Sequence, residues 1–199
     1  TQIIAVNQAV DARTKGPLEE IAPTTVKPNG YEDWQVPWEK QVETIADAVG
    51  KENEGDKLID DTEKAFEEFR HKHAELQDKS AAIVMPYDGK IGLYTEEDGR
   101  GQFIEDLGME IPDALQGDGG SFFVDIAPEN YAKLNQVDYL FVLDYNGSSD
   151  ALKKDKTFQG LDIVKEGRVR YLDTDTGNAM SMPNPVTIPW AVDKFEEKL

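Results

Sequence analysis

The stretch Ile126-Ala127-Pro128-Glu129-Asn130-Tyr131-Ala132-Lys133-Leu134-Asn135-Gln136-Val137-Asp138-Tyr139-Leu140-Phe141-Val142-Leu143-Asp144-Tyr145-Asn146 decides the fold class. Its first part, Pro128–Leu134, reads as a short helix. Its second part, Tyr139–Leu143, is the strongest strand in the chain. Five apolar side chains stand there without polar alternation, the pattern of a strand covered on both faces of a mostly parallel sheet. Asn146-Gly147-Ser148 then reads as a turn; it also fits a glycosylation sequon.

Working outward, the same alternation extends over residues 79–199. Ala81–Met85 is a second continuous apolar strand, Tyr87-Asp88-Gly89-Lys90 a tight turn, and Lys90–Tyr94 another extended segment. Gly101–Leu107 reads as a helix stopped by Gly108, and Asp113–Ser121 as a polar, Gly-rich loop. Asp150–Lys154 is a short helix, Val169–Leu172 a strand, and Val186–Leu199 a final amphipathic helix. The expected class is α/β: a three-layer sandwich lobe with a mostly parallel sheet, preceded by a long connecting helix.

Towards the N-terminus, Gln2–Val6 is a short strand candidate and Leu18, Ile21 and Ala22 suit one helical turn closed by Pro23. Lys27-Pro28-Asn29-Gly30 is turn chemistry. Pro37 starts a helix that Gly50 stops. Residues 56–78 form the longest helix candidate, with Leu58, Thr62, Ala65, Phe66, Phe69, His73 and Leu76 on one face. The expected organisation is 1–38 as a remnant of a preceding lobe with its linker, 39–78 as connecting helices and 79–199 as a ligand-binding lobe. The chain opens on an apolar run without Met and reads as cut just before a buried strand.

Composition excludes whole classes of function. Across 199 residues, 40 acidic side chains face 21 basic ones, for a net charge of -19. Such a polyanion releases no counterions from phosphate, which argues against general binding of nucleic acid. No cysteine is present, so disulfides, thiolate metal sites and thiol nucleophiles are ruled out.

The chemistry-bearing motifs are sparse. His71 and His73 are the only histidines; two residues apart on a helix, they face different sides and cannot share one metal. Asp173-Thr174-Asp175-Thr176-Gly177-Asn178 begins like a calcium loop, but Asn184 stands where the bidentate Glu belongs, so it reads as a polar turn. Gly99-Arg100-Gly101 lacks the rest of a nucleotide loop, yet leaves Arg100 free to reach an anion near a helix N-terminus. Carboxylates are too abundant to nominate a catalytic pair. No catalytic residue and no protein-held metal is expected.

Several phrases, taken in order, go further. "QIIAV", "LEEIAPTTVKP", the Trp-rich "DWQVPWEKQVETIADAVGK", "IPDAL", "IAPENYAKLNQVDYLFV" and "EGRVRYLD" together resemble the second part of an iron–siderophore ABC-transporter substrate-binding protein, of the class whose two lobes are joined by one long helix.

The resemblance implies a non-enzymatic module that captures a ferric siderophore in an interlobe cleft and delivers it to a permease dimer. It implies a cleft surface from three segments: Tyr87 to Arg100, the loop after Leu143, and the loop from Gly177 to Pro183. Within them it nominates Tyr87, Tyr94, Arg100, Tyr145, Asn146, Asn178 and Met180 as ligand contacts. Arg100 would pair with the negative charge of a ferric catecholate or carboxylate complex. The siderophore would chelate the iron completely, so no cofactor is required. Glu129 would meet an Arg pocket of the permease. An extracytoplasmic location follows, with a signal peptide and lipid-attachment Cys in a preceding segment. Haem or cobalamin are alternative ligands, with Tyr87, Tyr94 and Met180 as axial candidates for haem. The fold also resembles metallocluster enzymes, against which the missing cysteines count.

Overall fold

A computed structural model describes all residues, 1–199, in two compact units, Thr1–Glu63 and Lys64–Leu199.

In the first unit, strands β1 (Ile3–Ala5) and β2 (Thr24–Val26) pair in parallel, Ile3 opposite Thr24. Helix α1 (Ala12–Ile21) connects them. Asp11 caps it, accepting hydrogen bonds from the Thr14 backbone N–H and hydroxyl at 2.8 and 2.7 Å. This helix is longer than the single turn read from the sequence. It buries no side chain and carries Pro17 internally, so neither apolar period nor propensity marks its extent. Helix α2 (Trp38–Val49) ends at Gly50, whose φ of 68° and N–H bonds to the Ala46 and Asp47 carbonyls make a left-handed cap. Helix α3 (Glu52–Lys72) follows at once and carries the boundary between the two units. Gly55 lets it lie directly on α2, since a Cβ there would stand 2.5 Å from the Ala46 Cβ.

The second unit is built on a five-stranded sheet in the order β5-β4-β3-β6-β7. Its strands are β3 (Ala81–Tyr87), β4 (Lys90–Tyr94), β5 (Phe123–Ile126), β6 (Tyr139–Asp144) and β7 (Val169–Asp173). Strands β3, β6 and β7 run parallel, while at one edge β4 pairs antiparallel with β3 and β5 antiparallel with β4, so that β4 alone runs against the rest. Around the sheet lie α4 (Gly99–Asp106), α5 (Ser149–Lys154), α6 (Lys156–Gln159), α7 (Asp162–Lys165), α8 (Thr174–Ser181) and α9 (Thr187–Glu196). The helix read over Pro128–Leu134 is present but of the 3-10 type, and it runs on to Gln136.

Alternation along the strands sorts side chains into two cores. Ala82, Val84, Ile91, Leu93, Leu140 and Val142 face one way and pack with Tyr131, Leu134, Phe158 and Ile163. Ile83 and Phe141 are buried on the opposite face, which carries an aromatic cluster. There Phe195 of α9 meets Phe141, Phe69 and Phe103 at ring-centroid distances of 4.5, 6.0 and 6.2 Å, and Phe66 meets Phe103 at 5.4 Å. The apolar stripe read on the long helix is thus used, in its last turns, as a wall of this core.

Besides the longer α1, the elements β2, α6 and α7 carried no assignment in the sequence, and two further segments bear on the site. Residues 174–181, read as turn and loop, form α8, because Asp173 caps it by accepting from the Thr176 N–H at 2.9 Å. Residues 123–126, which carried no strand assignment, form the edge strand β5, too short to show a period.

Candidate functional site

The hairpin β3–β4 turns on Asp88 and Gly89, both with positive φ (51° and 76°), between the paired residues Tyr87 and Lys90. This two-residue turn, called for by the Asp-Gly pair, fixes the register that puts Met85, Tyr87, Gly92 and Tyr94 on one sheet face. Tyr87 donates its hydroxyl hydrogen bond to Asp125 of β5, and Lys90 pairs with the same carboxylate while lying 4.9 Å from the Tyr87 ring centroid. Phe123 joins Tyr87 to Tyr94, with ring centroids 5.5 and 5.2 Å away.

After Tyr94 the chain enters α4 through Asp98, which caps the helix by accepting the Arg100 N–H at 2.9 Å. Gly101 is required at this bend: a Cβ there would stand 1.9 Å from the Thr95 carbonyl oxygen. The cap sends Arg100 back over Tyr94, guanidinium carbon 4.0 Å from the ring centroid. One terminal nitrogen, Nη1, donates to both Asp98 oxygens, at 2.8 and 2.9 Å. Nε donates to the Tyr145 hydroxyl at 3.5 Å. Tyr145, just past β6, is held from the other side by Gly177 of α8, where a Cβ would stand 2.9 Å from the Tyr145 hydroxyl oxygen.

The electrostatics follow from this burial. Side chains of Arg100 and Asp98 are only 16% and 12% exposed. Burial pushes the Asp98 carboxyl up from its ordinary range, opposed by the Arg100 charge and its hydrogen bonds. Burial also raises the Tyr94 phenol to about 12, so Tyr94 stays neutral. Its hydroxyl donates to the Met85 sulfur at 3.7 Å.

The structure therefore brings Tyr94, Arg100 and Tyr145 together, and links Tyr87 to them through Phe123. Asn178 is exposed on α8, one residue beyond Gly177. Asn146 is exposed in the left-handed conformation (φ 52°), its N–H donating to the Thr174 hydroxyl at 3.0 Å. Met180 is fully buried and has no surface to offer a ligand. Glu129 is exposed in the first turn after Pro128 and makes no hydrogen bond or ion pair. Two residues central to the cluster escaped sequence reading. Asp98 had a signal, an Asp directly before a helical Gly-Arg-Gly-Gln. Phe123 had none, since its strand was not recognised.

A profile of the periplasmic binding protein family matches residues 1–176. Among solved structures, the iron uptake ABC transporter substrate-binding protein PiaA from Streptococcus pneumoniae TIGR4 superposes with a TM-score of 0.82 at 26% identity, over 98% of this chain and 69% of that one. PiaA in complex with ferrichrome gives the same TM-score and identity, covering 67% of that chain. A periplasmic solute binding protein from Mycobacterium smegmatis str. MC2 155 shares the fold at TM-score 0.83 and 24% identity, over 98% and 67% of the two chains. No curated protein matches the chain. No helix is long and apolar enough to cross a membrane.

Proposed function

The chain belongs to the periplasmic binding protein family, and on that premise we propose that it captures a ferric siderophore outside the cytoplasmic membrane as part of the substrate-binding component of an ABC importer. The family's role is binding for transport rather than catalysis. The observation that carries the ligand class is the junction of Arg100 with Tyr94 and Tyr145. A partly exposed guanidinium framed by two phenols supplies a directed donor beside aromatic surface, which suits a bulky chelate whose periphery is oxygen-rich and whose flanks are apolar.

Tyr87, Tyr94, Arg100 and Tyr145, with Asn146 and Asn178 at the rim, are the contact residues on this reading. The siderophore supplies all the iron ligands. Haem is less well served: the Tyr87 hydroxyl is engaged by Asp125, the Tyr94 hydroxyl by Met85, and Met180 is buried. Glu129, exposed and unpaired, is the carboxylate proposed to meet a basic pocket of the permease. Lipid anchoring at the membrane surface is part of the same proposal.

Quenching of intrinsic fluorescence tests the ligand. A ferric siderophore should quench at submicromolar concentration, and Arg100→Ala should weaken binding by about tenfold or more. Clear binding of haem or cobalamin with no response to any ferric siderophore would overturn the reading. Glu129→Ala should impair uptake in cells and leave siderophore affinity unchanged; normal uptake would remove the docking role.

A further inference from the structure

Arg100 is the cation expected to meet an anionic iron complex, yet its charge is already matched within the chain. Asp98 places both carboxylate oxygens on Nη1, and the same carboxylate is pinned by the Arg100 backbone N–H as a helix cap. The two residues stand two positions apart on a closed turn, so the pair is preformed. The cation also lies over the Tyr94 ring and donates Nε to Tyr145. What remains for a ligand is Nη2, which makes no hydrogen bond within the protein: a donor whose charge is compensated.

We infer that Asp98 is a specificity-determining residue that makes the site electroneutral, so that it selects uncharged ferric complexes over anionic ones. The inference rests on the ferric-siderophore reading above. An uncharged chelate, such as a neutral ferric tris-hydroxamate, accepts from Nη2 through a peripheral oxygen and leaves the ion pair intact. A trianionic ferric tris-catecholate gains full benefit from Arg100 only by displacing Asp98, which strands a buried carboxylate without its partner. Long-range electrostatics point the same way. The chain carries a net charge of -19, and Glu96 and Glu97 stand immediately before the cap, so an approaching trianion is repelled and a neutral chelate is not.

The experiment titrates the chain and Asp98→Asn with one neutral ferric tris-hydroxamate and one trianionic ferric tris-catecholate, by fluorescence quenching. Asn caps helices as well as Asp, so the variant keeps α4 and changes the charge. The native chain should favour the neutral complex by about 100-fold, and D98N should narrow that ratio by about tenfold or more, chiefly by gaining the trianion. A double variant, D98N/R100Q, restores charge balance and should return the ratio towards the native preference, although binding weakens. Native preference for the trianion, or a ratio that D98N leaves unchanged in a folded variant, would overturn the inference while leaving siderophore capture standing. Failure of both complexes to bind would instead overturn the underlying reading, and this inference with it.

Discussion

The tip of the Phe123 ring sits against Gly92, so closely that a Cβ on Gly92 would stand 1.7 Å from the Phe123 Cζ. The glycine is thus a socket for the ring that joins Tyr87 to Tyr94. Gly92→Ala should expel the ring and destabilise the protein by about 1–3 kcal/mol, the cost of overpacking. Combining it with Phe123→Ala removes the clash, so the double variant should be more stable than the sum of the two single effects implies. Urea denaturation of the four proteins checks this; strict additivity would mean that the ring and the glycine do not meet.

That pair also shows where sequence reading stops. Strands β3 and β6 were legible because both faces are covered, which writes an unbroken apolar run such as Tyr139–Leu143. The hairpin was legible through Asp88-Gly89, and α2 through its Gly50 stop. Strand β5 was not, because four residues on a sheet edge need no apolar face of their own; Phe123 is specified by the hole at Gly92, a partner thirty-one positions away. The site divides the same way. Tyr94, Arg100 and Tyr145 could be nominated through the family resemblance, but Asp98 matters through a side-chain geometry that composition does not carry. Met180 reads as a surface contact only until α8 is seen to form and turn it inward.

The aromatic core gives a second prediction. Phe195 touches Phe69, Phe103 and Phe141 from three different elements and is fully buried. Phe195→Ala should cost about 3–5 kcal/mol, because three rings lose a shared neighbour and cannot all collapse into the space. Phe122, in contrast, is 47% exposed, and Phe122→Ala should change stability by less than about 1 kcal/mol. Chemical denaturation of the two variants side by side measures the contrast.

Glu105 on α4 supplies a pH dependence. Burial, followed by the charges of Glu96 and Glu110, raises its carboxyl from 4.5 to about 7. The folded state therefore holds a proton that the unfolded chain releases between those values. The stability this proton confers is complete below pH 4.5 and is lost as pH rises through about 7. Glu105→Gln keeps the neutral form at every pH. It should raise Tm at pH 8 by a few degrees and change it little at pH 5, as read by calorimetry at both pH values; an equal shift at both would exclude the ionisation as the cause.

Glu196 near the end of α9 works with the opposite sign. Its carboxylate accepts from Lys72 and contacts the His73 Nε2 at 2.9 Å, while His73 Nδ1 lies 3.2 Å from Glu75. The Lys72 and His73 contacts hold Glu196 below its ordinary value of 4.5. Its stabilising contribution is therefore present above pH 4.5 and disappears as pH falls through the lowered value. The group lies near solvent, so screening limits the contribution to about 1 kcal/mol or less. Glu196→Gln should lower stability at pH 7 by an amount that shrinks with added salt and vanishes in acid. The Phe69–Phe195 contact beside it is apolar and pH-independent, so the end of α3 should stay docked in both proteins. A loss that persists unchanged at pH 3 would show that Glu196 acts through packing rather than through its charge.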